Sequence, residues 1–250
     1  MSGHSKWSTI KRQKGANDAK RGAVFTKVAR EIMVAARAGG GDPDANFRLR
    51  LAMDKARSVN MPLDNIKRAI EKATGSGDAE QFEEIVYEGY GPGGVAVLVE
   101  AATDNRNRTA ADVRSIFTKA GGSLAGSGAV AWQFEPRGLI TVPADGTDPD
   151  TVALAAIDAG ADDVDTSDSE RVEVYTSPGD LQRVRTALDG AGIPIETAEN
   201  AMVAKSHVEL DGQRVRQNLR LIEMLEDLDD VQRVTANFEI PEEVFAEVAG

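Results

Sequence analysis

The side chains able to do chemistry are few, and their spacing argues against an active site. Histidine occurs twice, at His4 and His207, and cysteine is absent, so no His pair, no His/Cys cluster and no thiol nucleophile is available. Ser123 and Ser127 in "GGSLAGSGA" do not satisfy G-x-S-x-G and have no histidine placed to activate them. "GYGPGG" lacks the Gly-Lys-Ser/Thr ending of a phosphate-binding loop. The acidic stretches "DGTDPD" and "DDVDTSDSE" lack the glycine and glutamate positions of a calcium loop. Neither an enzyme nor a bound cofactor is expected. The chemistry that remains is charge. Gly3 to Arg21, "GHSKWSTIKRQKGANDAKR", holds Lys6, Lys11, Arg12, Lys14, Lys20 and Arg21 against Asp18 alone, with Trp7 among them. Lysine and arginine neutralise phosphates, and an indole stacks on an unpaired base, so this mix suits a nucleic-acid backbone.

A second basic spot is "TDNRNRTAADVR", where Arg106 and Arg108 precede Thr109, a plausible N-cap with Asp112 three residues on. Two guanidiniums at a helix start favour a phosphate or carboxylate. The competing reading is a salt bridge to Asp104 or to another acidic part of the chain, and the sequence leaves both open. Lys27 joins the candidate contacts from the basic side of the first helix.

The chain carries −12 overall, yet residues 1–75 hold 16 Lys+Arg against 7 Asp+Glu, a balance of +9, while residues 76–250 hold 13 against 34, or −21. Such a split describes a basic element that touches a polyanion, carried by a body that repels it elsewhere. No apolar run is long enough to span a bilayer and no signal-peptide pattern follows the basic start, so a cytoplasmic protein without membrane contact is expected.

These side chains must be positioned by three segments. Val24, Phe25, Val28, Ile32, Ala35 and Ala36 recur at helical spacing, with Lys20, Lys27, Arg30 and Arg37 on the opposite side, until "AGGGDPDAN" stops the helix. A second helix over about 44–59 turns Phe47, Leu51 and Ala52 inward, and a third starting at Pro62 carries the stripe Ile66, Ala69, Ile70 and Ala73. Residues 1–78 read as an all-helical domain. Beyond it the period shortens: "FEEIVYEGY" and "GVAVLVEAATD" read as strands, 109–120 as a helix and "AVAWQFE" as a third strand. From 138 onward the order strand, helix, strand, strand, helix, strand matches a ferredoxin-like domain. The remainder, helix 212–227 and strand "VQRVTANFEI", completes the piece before it. The reading is an α+β chain: an N-terminal three-helix domain followed by two ferredoxin-like α/β domains, a discontinuous one of 79–135 plus 208–250 and one of 136–207 inserted into it.

With these segments in view the chain resembles the YebC family, through "GHSKW" at 3–7, "AARAGGGDPDAN" at 35–46, "MPLDNIKRAIEKATG" at 61–75, "YEGYGPGGVAVLVE" at 87–100 and "TDNRNRTAADVR" at 103–114. The resemblance implies a helical first domain and two α/β domains, one inserted into the other. It also implies a regulator of gene expression: bacterial members are described as transcriptional regulators and mitochondrial relatives as translational activators, and the family both as DNA-binding and as acting on the ribosome, including relief of stalling on proline-rich nascent chains. The likeness begins at residue 2, which leaves no room for a presequence and points to a bacterial member. Ala204 and His207 depart from the proline and the asparagine or threonine of many relatives, and no function follows from that.

Ribosomal RNA is the favoured partner and duplex DNA the alternative. A pliable arm with one aromatic suits irregular RNA better than a regular major groove, and no helix-turn-helix, zipper or finger is present. No dimerisation helix is evident, so a monomer is expected.

Overall fold

The computed structural model describes residues 18–75, 82–241 and 244. Helix α1 (Asp18–Gly39), α2 (Phe47–Ser58) and α3 (Leu63–Thr74) form the first part. Val28, Ile32, Ala35 and Ala36 of α1 meet Leu49, Ala52 and Ala56 of α2 and Ile66 and Ala69 of α3 in one core. Ala52 faces inward as expected, while a shift of the stripe puts Leu49 and Ala56 in the core in place of Phe47 and Leu51. Its cause is the cap: Asn46 accepts the Leu49 N–H at 3.0 Å and donates through Nδ2 to the carbonyls of Ala35 and Gly40, each at 2.8 Å. That buried amide fixes where α2 starts and ties it to the end of α1. Gly39 makes room for it, since a Cβ there would lie 2.7 Å from Asn46 Nδ2.

The strands and helices that follow are β1 (Glu83–Gly91), β2 (Val95–Thr103), α4 (Arg106–Lys119), β3 (Ser123–Leu124), β4 (Phe134–Pro143), α5 (Pro149–Asp158), β5 (Asp163–Asp165), β6 (Arg171–Thr176), α6 (Leu181–Gly190), β7 (Thr197–Ala204), α7 (Gly212–Glu226) and β8 (Val231–Ala236). They build two four-stranded sheets, ordered β3-β1-β2-β8 and β5-β6-β4-β7. With the helices before them this is an α+β architecture.

In the first sheet β1 and β2 pair antiparallel with Tyr87 opposite Val99, and Gly93 and Gly94 make the reversal at φ of +84° and +80°. Val95, Val97 and Val99 alternate toward Val113 and Phe117 of α4 and Leu221 and Leu225 of α7. The second sheet has the ferredoxin-like strand order, packed on α5 and α6 through Ile140, Val152, Val174, Leu181 and Leu188. The first sheet keeps that spatial order with permuted connections, because a hairpin joins its two central strands. The backbone divides into two compact units: Phe134–Val203 is one, and the residues before and after it, helical segment included, form the other.

The expected third strand "AVAWQFE" is not one. Residues 125–130 are loop and turn, Ala131–Gln133 is a single 3-10 turn, and only Phe134 and Glu135 enter a strand. The N–H groups that a ladder would need are taken by Glu88 of β1. This buried carboxylate accepts from Gly128 at 2.6 Å, Val130 at 2.7 Å and Ala131 at 2.8 Å. The short β3 takes the edge position beside β1 instead.

Candidate nucleic-acid interface

The arm residues Lys6, Trp7, Lys11, Arg12 and Lys14 lie outside the described residues. Lys20 and Arg21 fall in the first turn of α1, and their side chains lie outside the described set. The structure places Lys27, Arg106 and Arg108 in detail, and it does not bring the three together.

Lys27 extends its ammonium to the carbonyl of Glu226, the last residue of α7. Helix ends gather unsatisfied carbonyls and partial negative charge, so a lysine there is favourably placed. One turn on, Arg30 donates to the Asp229 carbonyl at 2.5 Å and to Asp230 Oδ1 at 2.6 Å, with its guanidinium 5.2 Å from the Phe82 ring centroid. Part of the basic side of α1 is thus turned onto the α7–β8 corner.

Asp230 is the hub of that corner. Its Oδ2 accepts Arg108 Nη2 at 2.8 Å, Thr109 Oγ1 at 2.6 Å and Thr103 Oγ1 at 3.2 Å, while Oδ1 takes Arg30. Burial pushes the carboxyl up. The hydrogen bonds from Arg108 and Thr109, with the charges of Arg30 and Arg108, outweigh it and hold the group below the usual carboxylate range. Arg108 also reaches Asp104 at 2.7 Å, and its bonds to Asp230 and then Asp104 raise its own already high pKa. The internal salt bridge that the sequence left open is therefore present at Arg108.

Thr109 is not the N-cap. The helix begins three residues earlier, capped by Asn105, whose side chain accepts the Arg108 N–H at 3.1 Å. The two capping types stand in one short run, but Thr109 is buried and its hydroxyl bonds Thr103 and Asp230. Arg106, at the first helical position, faces out: its side chain keeps 65% of its exposure and approaches Glu83 only to 3.8 Å. It borders an open cleft of about 590 Å³ lined also by Ile85, Tyr87, Asp104, Asn105, Asn107 and Ala110. Tyr87, within that lining, donates its hydroxyl to the Arg106 carbonyl at 3.2 Å.

Two exposed cations that sequence reasoning passed over are Lys67 and Arg68 on α3. Their signal was available, because Ile66 and Ala69 are the buried face and the residues between must point outward. The Arg30–Asp230–Arg108 cluster carried no local signal, since Asp230 lies 200 residues from Arg30 and 122 from Arg108 in the chain. Among the described residues no group of three or more His, Cys, Asp or Glu is placed to hold a metal ion, and no helix is long and apolar enough to cross a membrane.

Comparison with known proteins agrees with this architecture. Residues 5–76 match the TACO1/YebC protein N-terminal domain and residues 82–238 the TACO1/YebC second and third domain. A protein of Rubrobacter xylanophilus is 57% identical over the full length of both chains, and one of Roseiflexus castenholzii 58% identical over 98% of this chain and 97% of its own. Both are named "probable transcriptional regulatory protein". The crystal structure of a conserved hypothetical protein from Aquifex aeolicus superposes with a TM-score of 0.84 at 48% identity, covering 90% of this chain and 92% of that one. Matched by family models across both its helical and its α/β parts, the chain belongs to the TACO1/YebC family.

Proposed function

We propose that this protein is a cytoplasmic, non-enzymatic regulator of gene expression that binds ribosomal RNA as a monomer through its basic N-terminal segment and acts on translation. The observation that carries the reading is the segregation of charge, +9 over residues 1–75 against −21 over the rest. Such a molecule meets a polyanion in one orientation only. Lys6, Trp7, Lys11, Arg12, Lys14, Lys20 and Arg21 supply phosphate and base contacts, and the outward Arg106 adds a planar guanidinium beside the helix start. Lys27, Arg30 and Arg108 serve differently, holding the helical segment to the α7–β8 corner.

Duplex DNA is the second reading, favoured by the names of the full-length relatives. The two are separated by anisotropy titrations of a structured RNA and a duplex DNA of equal charge across a salt series. The RNA reading expects tighter RNA binding with a log–log salt slope near −4, from about six arm contacts to single-stranded phosphate. Tighter duplex binding at every salt concentration overturns it.

A further inference from the structure

The loop between β3 and β4 carries a feature that neither the arm nor the Asp230 corner explains. Val86, Glu88 and Tyr90 alternate onto one face of β1. Glu88 draws in three N–H groups of the loop, and burial of its carboxyl is outweighed by those donors. A loop containing Gly126 and Gly128 is thereby given one conformation.

That conformation aims the Ala129 carbonyl at two aromatic side chains. The Tyr90 hydroxyl and the Trp132 indole N–H both donate to it, each at 3.1 Å. The polar edges of the two rings converge on a single oxygen, while Trp132 remains 69% exposed and Tyr90 36%. Large aromatic surface left in water is costly unless something covers it. On the other side Lys205 donates its backbone N–H to the Gln133 carbonyl and its ammonium to the Trp132 carbonyl, both at 2.9 Å. Asn237 holds the Gln133 side chain at 2.9 Å. The chain carrying the exposed ring is therefore held at Trp132 and Gln133, with the Lys205 ammonium on the Trp132 backbone carbonyl. An ammonium has three N–H donors, and only one is drawn on here.

We infer that Tyr90 and Trp132, anchored on the Ala129 carbonyl and flanked by Lys205, form a stacking site for an unpaired nucleobase of RNA. The indole offers a π face whose own hydrogen bond is already made, so a base of any identity can lie on it, and the lysine is placed for the adjoining phosphate. Lysine is depleted at protein–protein interfaces, so the Lys205 ammonium beside Trp132 favours a phosphate-bearing ligand. The site deepens the RNA reading above and rests on it.

The chain has two tryptophans, so Trp7→Phe leaves Trp132 as the sole indole of the full-length protein. A fluorescein-labelled oligouridylate of about a dozen nucleotides reports binding by anisotropy, and an unlabelled one reports stacking by quenching of Trp132. The two curves should share one midpoint, with Trp132→Ala weakening binding by about tenfold and Trp132→Phe retaining most of it. An abasic strand of the same charge should bind without quenching and should not distinguish Trp132→Ala from its parent. Anisotropy that rises while Trp132 emission and the Trp132→Ala midpoint stay unchanged overturns the stacking site and leaves RNA binding intact. No anisotropy change with the wild-type protein overturns both. Quenching by a proline-rich peptide but not by RNA also overturns the inference, assigning the rings to polyproline recognition instead.

Discussion

Replacing Asp230 by asparagine keeps the shape of the α7–β8 corner and removes its charge. The carboxylate is buried and bonded to Arg30, Arg108, Thr109 and Thr103. Removing one partner of a fully buried ion pair costs about 3–5 kcal/mol, because the other charge stays in low dielectric. The Arg108 side chain is 46% exposed, so water takes up its charge, whereas that of Arg30 retains only 14%. The uncompensated charge is therefore mainly one arginine, and the loss should be about 2–3 kcal/mol. For a cooperative unit of this size that lowers Tm by about 4–10 °C, measured by circular dichroism at neutral pH. The pH dependence has a definite sign. A carboxyl held below its unfolded value binds protons less readily in the native state, so its contribution is fully present above the unfolded pKa of about 4 and fades as pH falls through the lower folded value. The gap between wild type and Asp230→Asn should therefore close in acid. A variant that melts within a degree of wild type at neutral pH, or a gap that widens in acid, refutes the view that this corner anchors the helical segment.

Glu88→Gln replaces a charge-assisted acceptor of three N–H groups with a neutral amide, and should speed amide hydrogen exchange at Gly128, Val130 and Ala131 while leaving α4 protected. Asn46→Ala removes the α2 cap and leaves the carbonyls of Ala35 and Gly40 without their donor, a loss of about 1–3 kcal/mol visible as a lower denaturant midpoint at unchanged m. Residues 136–207 expressed alone should give a dispersed NMR spectrum, because four strands and two helices close on their own core, and a collapsed spectrum contradicts that.

The periods that sequence carries are short, and what they reach was legible. Val28, Ile32, Ala35 and Ala36 mark the buried face of α1, and the valines of β2 mark a strand buried between helices. Patterns that depend on a partner elsewhere were not. "AVAWQFE" alternates well enough for a strand, yet a glutamate some forty residues earlier claims its N–H groups. Thr109 has the right type for a cap, but Asn105 stands four residues before it, and Asp230 draws the threonine inward. For Arg108, the sequence could state both fates, phosphate or carboxylate, and only the fold brings Asp230 within reach. Trp132, read as a strand residue, is the most exposed large hydrophobic side chain among the described residues.

The account turns on the basic arm meeting ribosomal RNA, and sedimentation tests it most directly. Full-length protein and a version lacking residues 1–17 are expressed in bacterial cells, and each lysate is run on a sucrose gradient at low and at high salt. The full-length chain should travel with ribosomal particles at low salt and return to the top of the gradient at high salt, while the truncated chain stays at the top yet still melts cooperatively by circular dichroism. Equal co-sedimentation of both chains, or a full-length chain that never leaves the top fractions and binds duplex DNA instead, contradicts it.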